Sequence, residues 1–230
     1  AFKALPSKNA AGAVYVYVRN GTTWIEQAKL TASDSTANAS FGRSVEVSGN
    51  VAVIGAPGDS SSAGAVYVFE RSGSIWTEKA KIAAADGAAS DNFGIDVALQ
   101  GNTIVVGALG ADPGGAADRG AAYVFVGSGA TWTQQGARLT ASDGIAGDGF
   151  GYVVALDGDT ALVDSRNGGS SSQGIVYAFV RSGTTWTEQA RLQGSQPSSP
   201  GQFGWSLALS GDVVLASGDA DGAGAAVSVT

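Results

Sequence analysis

The chain of 230 residues is 44% hydrophobic and only 14% charged and contains 35 glycines, so it is long enough to bury a core without disulfides or metals. It contains no cysteine, methionine or histidine, which excludes thiolate and histidine-based catalysis, the usual zinc sites, and haem or iron–sulfur ligation. Its net charge of −7 argues against binding of nucleic acid or anionic lipid, and its apolar runs are too short for a transmembrane segment.

An internal repeat runs along the sequence. The segment Gly-Ala-Val-Tyr-Val-Tyr at residues 12–17 returns in related form at 64–69, 120–125 and 174–179, and in part at 224–229. Two other features recur at the same spacing: Phe-Gly pairs at 41–42, 93–94, 150–151 and 203–204, and tryptophans at 24, 76, 132 and 186. A period of roughly 50 residues with several strands per unit is typical of propeller blades.

Each unit is predicted to contain four short strands. The first follows the Phe-Gly pair and ends in a tight turn such as Ser48-Gly49-Asn50, in which Gly and Asn tolerate positive φ. The second strand is apolar, the third is the aromatic segment, and the fourth begins at the tryptophan. Because both faces of these strands are largely apolar, we expect the sheets to be covered on both sides and to stack around an axis.

We therefore predict an all-β protein, a β-propeller of four-stranded antiparallel blades, with four to five blades in a single domain or propeller fragment over residues 1–230. The chain is expected to begin and end within blades. The strand at 224–229 is expected to be paired, either with the strand at 24–30 in a closed ring or with a neighbouring chain, which would make self-association possible.

The Phe-Gly start, the second strand that ends in Gly55-Ala56-Pro57 and the aromatic third strand resemble the FG-GAP repeats of integrin α-subunit propellers and, more closely, bacterial FG-GAP-like repeats. The resemblance covers nearly the whole chain. It implies a propeller that is extracellular or at the cell surface, here bacterial, and used for binding. Integrin-type repeats often hold calcium between the first and second strands, but here that loop is too short for about six to eight oxygen ligands. No cofactor is predicted.

The loop between the second and third strands differs most among the repeats, and equivalent strand ends carry it to one end of the propeller. Residues that vary while the scaffold repeats are candidates for contact with a protein or glycan ligand. Polar loops without a partner are the alternative. The candidate ligand-binding residues are Asp59, Asp112, Asp118, Arg119, Asp164, Arg166, Asn167, Asp219 and Asp221. In this region, Val163-Asp164-Ser165 and Ala216-Ser217-Gly218 align with Gly55-Ala56-Pro57.

Pairs of carboxylates also recur between the blades, at Asp86 with Asp91 and at Asp143 with Asp148. A metal site common to all blades is excluded because Asp34 has no second aspartate before the next Phe-Gly pair. Local turns closed by the aspartate side chain are the favoured interpretation, and no metal site is predicted.

Aromatic side chains could stack on sugar rings, but the repeated tryptophans begin an otherwise regular strand in every unit and are predicted to pack between blades. Trp205 stands where the other repeats have Arg43, Ile95 and Tyr152. Alternate residues of a strand point to the same face, so Trp205 lies on the same face as Leu207 and Leu209 and is also predicted to be buried.

The sequence favours a non-enzymatic extracellular binding or adhesion module. The alternatives are a structural subunit of a surface assembly or filament and, with less support, a carbohydrate-binding lectin or a propeller glycosidase. A glycosidase needs two carboxylates about 5 to 9.5 Å apart, and no acidic residue stands out from its repeat equivalents in an apolar setting that would raise its pKa.

Overall fold

The chain folds almost entirely into β-strands. The computed structural model describes residues 11–169, 172–195 and 203–218. Helical structure within these ranges consists of one short turn at Asp59–Ser62 and one 3-10 turn at Pro113–Gly115. The strands are β1 (Val14–Asn20), β2 (Thr23–Leu30), β3 (Val45–Ser48), β4 (Val51–Ala56), β5 (Ala65–Ser72), β6 (Ile75–Ile82), β7 (Val97–Gln100), β8 (Thr103–Ala108), β9 (Ala121–Ser128), β10 (Thr131–Gln134), β11 (Phe150–Asp157), β12 (Thr160–Ser165), β13 (Ile175–Ser182), β14 (Thr185–Leu192), β15 (Leu207–Ser210) and β16 (Val213–Ala216).

The strands pair with their sequence neighbours into antiparallel sheets. Three sheets have four strands, in the orders β3-β4-β5-β6, β7-β8-β9-β10 and β11-β12-β13-β14, and two have two strands, β1-β2 and β15-β16. We call them blades 1 to 5 in chain order. The predicted all-β propeller of four-stranded antiparallel blades is confirmed. The predicted strand at 224–229 lies outside the described residues.

The first strands of successive blades face one another around the axis. Strand β3 contacts β7, β7 contacts β11, and β11 contacts β15. Asp96, just before β7, joins three blades, since one carboxylate oxygen accepts a hydrogen bond from the Ser44 hydroxyl at 2.6 Å and the other accepts one from the Val154 N–H at 2.9 Å. Apolar clusters fill the space between adjacent blades, so burial between the sheets holds the arc together.

The Phe-Gly pair builds the contact between blades. The Phe93 ring is fully buried and meets the rings of Tyr123 and Phe125 edge to face, with centroids 5.5 and 5.9 Å apart. Its backbone forms a parallel bridge with Gly64 of the preceding blade. A Cβ on Gly64, whose φ is +90°, would lie 2.0 Å from the Phe93 carbonyl oxygen. The repeated glycine therefore permits the close approach of consecutive blades.

Three of the four repeated tryptophans pack against the apolar clusters between blades as predicted, but none of the four is a fully buried core residue. Trp76, Trp132 and Trp186 are only half-buried, and Trp24 is 67% exposed. The Trp76 and Trp186 indoles donate hydrogen bonds of 3.0 Å to glutamines of the neighbouring blade. These side chains lie on the outermost strand, where blades that radiate from an axis have moved apart, so neighbouring sheets cover less of each ring.

No helix among the described residues is long and apolar enough to cross a membrane.

Candidate functional site

The variable loops and the Phe-Gly pairs lie at the same end of the propeller. Each second strand runs antiparallel to the first, so its last residues pair with the beginning of the first strand, as Ser165 pairs with Phe150. The loop that follows the second strand therefore leaves beside the axis. We call this the loop end of the propeller.

A cavity of about 530 Å³ opens at the axis on the loop end. Its lining includes the residues that directly follow each Phe-Gly pair: Arg43, Ile95, Tyr152 and Trp205, together with Arg166 from the loop after β12. We call it the axial cavity. Of these residues, the sequence-based prediction contained only Arg166. The signal for the others was present in the sequence, since this position carries a different residue in every repeat.

Trp205 is 51% exposed at the cavity, so the prediction that it is buried is wrong. Leu207 and Leu209, which point to the same face of the strand, are half-buried, whereas Trp205 precedes the strand, where the chain enters from the loop end beside open space.

Two aromatic rings hold the Arg166 side chain. Its guanidinium carbon lies 3.4 Å from the centroid of the Tyr152 ring and 4.1 Å from that of Trp205. Tyr152 is itself held in place by Arg43, whose Nη2 donates a 2.8 Å hydrogen bond to the tyrosine hydroxyl. Stacking of a guanidinium on aromatic faces is favourable, and more so when the group is shielded from water.

Asp164 lies in the wall beside the cavity rather than in a solvated loop. It ends strand β12 and is fully buried, and one carboxylate oxygen accepts a 2.6 Å hydrogen bond from the Val153 N–H. The other oxygen, Oδ2, is buried and has no hydrogen-bond partner within the described part of the chain. Burial raises the pKa of Asp164 from its ordinary value of 3.8 to about 7. The expectation that no acidic residue stands out in an apolar setting is therefore wrong.

The strand pairing also corrects the predicted alignment of the later repeats by one residue. Asp164 pairs with Val176 as Gly55 pairs with Val66. Asp164, Ser165 and Arg166 are thus the equivalents of Gly55-Ala56-Pro57. In blade 5, Ser217 accepts the hydrogen bond from the Phe-Gly glycine that Gly55 accepts in blade 2. Blade 4 therefore has aspartate where blades 2 and 3 have a close-packed glycine.

We expect Asp164→Asn to increase stability at alkaline pH. Between about pH 4 and pH 7 the unfolded carboxyl has lost its proton while the folded one still holds it, so the free energy of unfolding of the wild type falls as pH rises through this window. The side chain of the asparagine variant does not ionise, so its free energy of unfolding does not fall in this way. At pH 8 the variant should be more stable than the wild type by at least about 1 kcal/mol, and at pH 4 the two free energies of unfolding should differ by less.

Urea denaturation at both pH values measures this difference. Asp112→Asn is the matched control, because Asp112 is an exposed loop residue. If the Asp164 and Asp112 variants show the same pH dependence as the wild type, Asp164 does not retain its proton in the folded state.

Asp59, another predicted ligand-binding residue, is buried in a network that belongs to the scaffold. Its Oδ2 lies 2.6 Å from the Tyr67 hydroxyl and 2.8 Å from Lys81 Nζ, and Lys81 also binds Asp34 at 2.6 Å. Burial opposes its ionisation, but hydrogen bonds from Lys81, Ser60 and Tyr67 outweigh this effect and lower the pKa of Asp59. Its carboxylate is therefore engaged inside the protein.

The remaining predicted residues are spread along the loop end. Asp112 and Asp118 are exposed, and Asp112 accepts a 2.8 Å hydrogen bond from the Asp118 N–H. Arg119 donates to the Ala141 carbonyl at 2.8 Å, and Asn167 donates to that of Gly147 at 3.0 Å. The structure places Arg166 in the lining of the axial cavity and Asp164 behind that lining, against Val153, and leaves these others apart from the cavity. Asp219 and Asp221 lie outside the described residues.

The carboxylates between blades are engaged by the protein itself. Asp91 accepts a 2.8 Å hydrogen bond from the Ala88 N–H and Asp148 one from the Ile145 N–H, so the predicted aspartate turns form at these two residues but not at Asp86 and Asp143. Asp86 and Asp143 each bind a third-strand tyrosine hydroxyl and an arginine, which is Arg138 after β10 for Asp86 and Arg191 on β14 for Asp143. Within the described ranges, no group of three or more carboxylates is arranged to hold a metal ion.

We expect removal of calcium to leave the melting temperature unchanged. These carboxylates already have cationic or N–H partners, and a metal that bound the folded state tightly would add stability by mass action. Thermal melts in EDTA and in excess calcium test the expectation. A fall of several degrees in EDTA that calcium alone restores would contradict it.

Comparison with known proteins identifies the repeat. The family model described as FG-GAP repeat matches three consecutive segments, at residues 24–69, 76–125 and 132–179. No curated protein sequence gives a match. The three segments cover more than half of the chain, and each extends from a fourth-strand tryptophan to the aromatic third strand of the next blade. This chain therefore belongs to the FG-GAP repeat family.

Proposed function

We propose that the protein is a non-enzymatic binding and adhesion module that acts outside the cell and holds a protein or glycan ligand at the loop end of the propeller. The axial cavity carries this proposal. It is lined by a different residue from each of blades 2 to 5, while the Phe-Gly pair next to that residue repeats. A scaffold that is constant except around one concavity is what a binding site on a repeat fold requires.

The chemistry of the cavity favours binding over catalysis. Asp164 is the acidic residue whose pKa is raised to about 7, in the range suited to a general acid or base. Asp164, however, is not among the residues that line the axial cavity. It lies behind Val153, whose N–H donates to its carboxylate. A substrate in the cavity would have to reach this carboxylate to exchange a proton with it, so Asp164 is not placed for catalysis.

An extracellular location agrees with the composition and the family. The net charge of −7 and the absence of cysteine suit a soluble surface that needs no reducing compartment. FG-GAP repeats are linked to adhesion and binding modules.

Binding of the labelled protein to intact bacterial cells and to panels of immobilised extracellular proteins and glycans tests the proposal. Replacing Tyr152 and Trp205 together by alanine should weaken retention at least tenfold, because aromatic residues in a cavity dominate binding energy. Lys79→Ala, on the exposed face of the outer strand β6, is the control and should bind as the wild type does. Equal binding by the cavity variant, with an unchanged circular dichroism spectrum, would contradict the proposal, as would failure of the wild type to bind any surface.

A further inference from the structure

We propose that Arg166 binds a carboxylate of an acidic peptide segment in a protein partner, through two N–H groups on one edge of its guanidinium. The inference rests on the proposed function, because it names the chemistry that the axial cavity recognises.

The first support is the pair of donors that Arg166 leaves without acceptors. Its Nε and Nη2 are both shielded from solvent, and neither has a hydrogen-bond partner among the residues that the structure describes. These two nitrogens direct parallel N–H groups from the same edge of the planar guanidinium, and a carboxylate can accept both at once. Buried donors without acceptors are costly, so this edge is one that an incoming carboxylate would satisfy.

The second support is that the blade does not need an arginine at this position. The corresponding residues of blades 2 and 3 are Pro57 and Leu109, by the strand pairing that aligns Asp164 with Gly55 and Gly107. Blades 2 and 3 therefore have an apolar side chain at this position. The arginine is therefore a local departure from the repeat, in the same blade that places Asp164 where the others have glycine.

The third support is the contrast with an arginine that serves the scaffold. Arg181 also stacks on an indole, with its guanidinium carbon 5.1 Å from the Trp186 centroid. Its donors are satisfied within the protein, by Asp159 at 2.6 Å and by the Thr103 hydroxyl at 3.1 Å. Arg166 has the aromatic support without the acceptors. Tyr152 and Trp205 thus hold a preorganised guanidinium, which reduces the entropy lost when a ligand binds.

The surroundings favour a carboxylate from a peptide over a sugar ring. Arg166 covers one face of both the Tyr152 and the Trp205 ring, which leaves less aromatic surface for stacking on a pyranose. Arg43 adds a second cation to the cavity lining, which also contains the acidic residues Glu46 and Asp96. Because the whole chain carries a charge of −7, long-range attraction does not bring an acidic ligand in, and recognition depends on the short-range geometry of the guanidinium edge.

Nitrogen-15 NMR of the arginine Nε–H groups in the full chain tests the proposal directly. The probe is the capped tripeptide acetyl-Gly-Asp-Gly-amide, and its control is the same peptide with asparagine. The aspartate peptide should shift the Arg166 Nε–H resonance downfield in a saturable way and leave that of Arg181 in place, while the asparagine peptide should shift neither.

Two variants complete the test. Arg166→Lys keeps the charge but loses the paired donors and should weaken peptide binding at least about tenfold, whereas Arg181→Lys should not change it. Asp164→Asn should leave the Arg166 resonance of the free protein near its wild-type position. A displacement as large as that caused by saturating peptide would show that Asp164 is the partner of Arg166 and would overturn the proposal.

Three other results would also overturn it: no shift of Arg166 with the aspartate peptide, equal shifts with both peptides, or a response to glucuronate but not to the aspartate peptide. The surface-binding assay of the proposed function does not depend on Arg166. If the protein adheres through the cavity but the peptide does not shift the Arg166 resonance, only this inference is refuted. If the protein adheres to no surface, the proposed function is refuted.

Discussion

Phe93→Ala should lower the free energy of unfolding by about 3 to 5 kcal/mol, as large-to-small changes in a packed core do. The Phe93 ring is fully buried at the contact between blades 2 and 3 and packs against two aromatic rings of blade 3. Its removal leaves a cavity that neighbouring strands cannot fill, because their backbones are held by the sheet hydrogen bonds on either side.

Urea denaturation followed by tryptophan fluorescence measures this effect. Ile75→Ala is the matched control, since Ile75 begins the outer strand β6 and is 68% exposed. The control should cost under about 1 kcal/mol. If Phe93→Ala proved no more damaging than Ile75→Ala, the Phe-Gly pair would not be the main contact between blades.

The second large effect is expected from Gly107→Ala, at the end of strand β8. A Cβ there would lie 1.9 Å from the carbonyl oxygen of Gly151 in the next blade. Neither backbone can yield without breaking sheet hydrogen bonds, so the blades must separate, and we expect a loss of about 3 kcal/mol, at the upper end of overpacking effects.

Gly101→Ala separates this clash from the general cost of replacing glycine. Gly101 has φ of +58° and lies in the β7–β8 turn, where an added Cβ meets no atom within 4 Å. Only backbone strain of about 1 to 2 kcal/mol applies there. The melting temperature should therefore fall further for Gly107→Ala, and the reverse order would show that the spacing between blades is not limited by this contact.

Some contacts of the tertiary structure could have been predicted by comparing the repeats with one another. Glu78 accepts hydrogen bonds from the Ser33 N–H and hydroxyl, and Glu188 binds Ser142 in the same way. Between blades 2 and 3 the corresponding residues are Ala85, after β6, and Gln134, on β10, so both partners change together. Such paired changes within one chain indicate a contact without any other sequence.

The sequence alone determined the blade as the building unit of this protein. Strand alternation, Gly-Asn and Gly-Asp turns and the aromatic repeat are local patterns, and each acts over a few residues that are close along the chain. They were sufficient to predict four antiparallel strands per blade and the placement of the variable loops at one end. The Phe-Gly pair was also recognisable as the start of each first strand.

Only the tertiary structure decided which side chains meet at the axis and how far each is covered. Arg43 and Tyr152 are separated by 109 residues and two blades, and their contact depends on how successive sheets rotate about the axis. The same rotation opens the space between outer strands and leaves the tryptophans half-buried. The position of Asp164 was settled by strand register, since a shift of one residue turns a loop aspartate into a buried one. Burial, register and contacts across blades are properties of the assembled arc, and no local pattern in the chain specifies them.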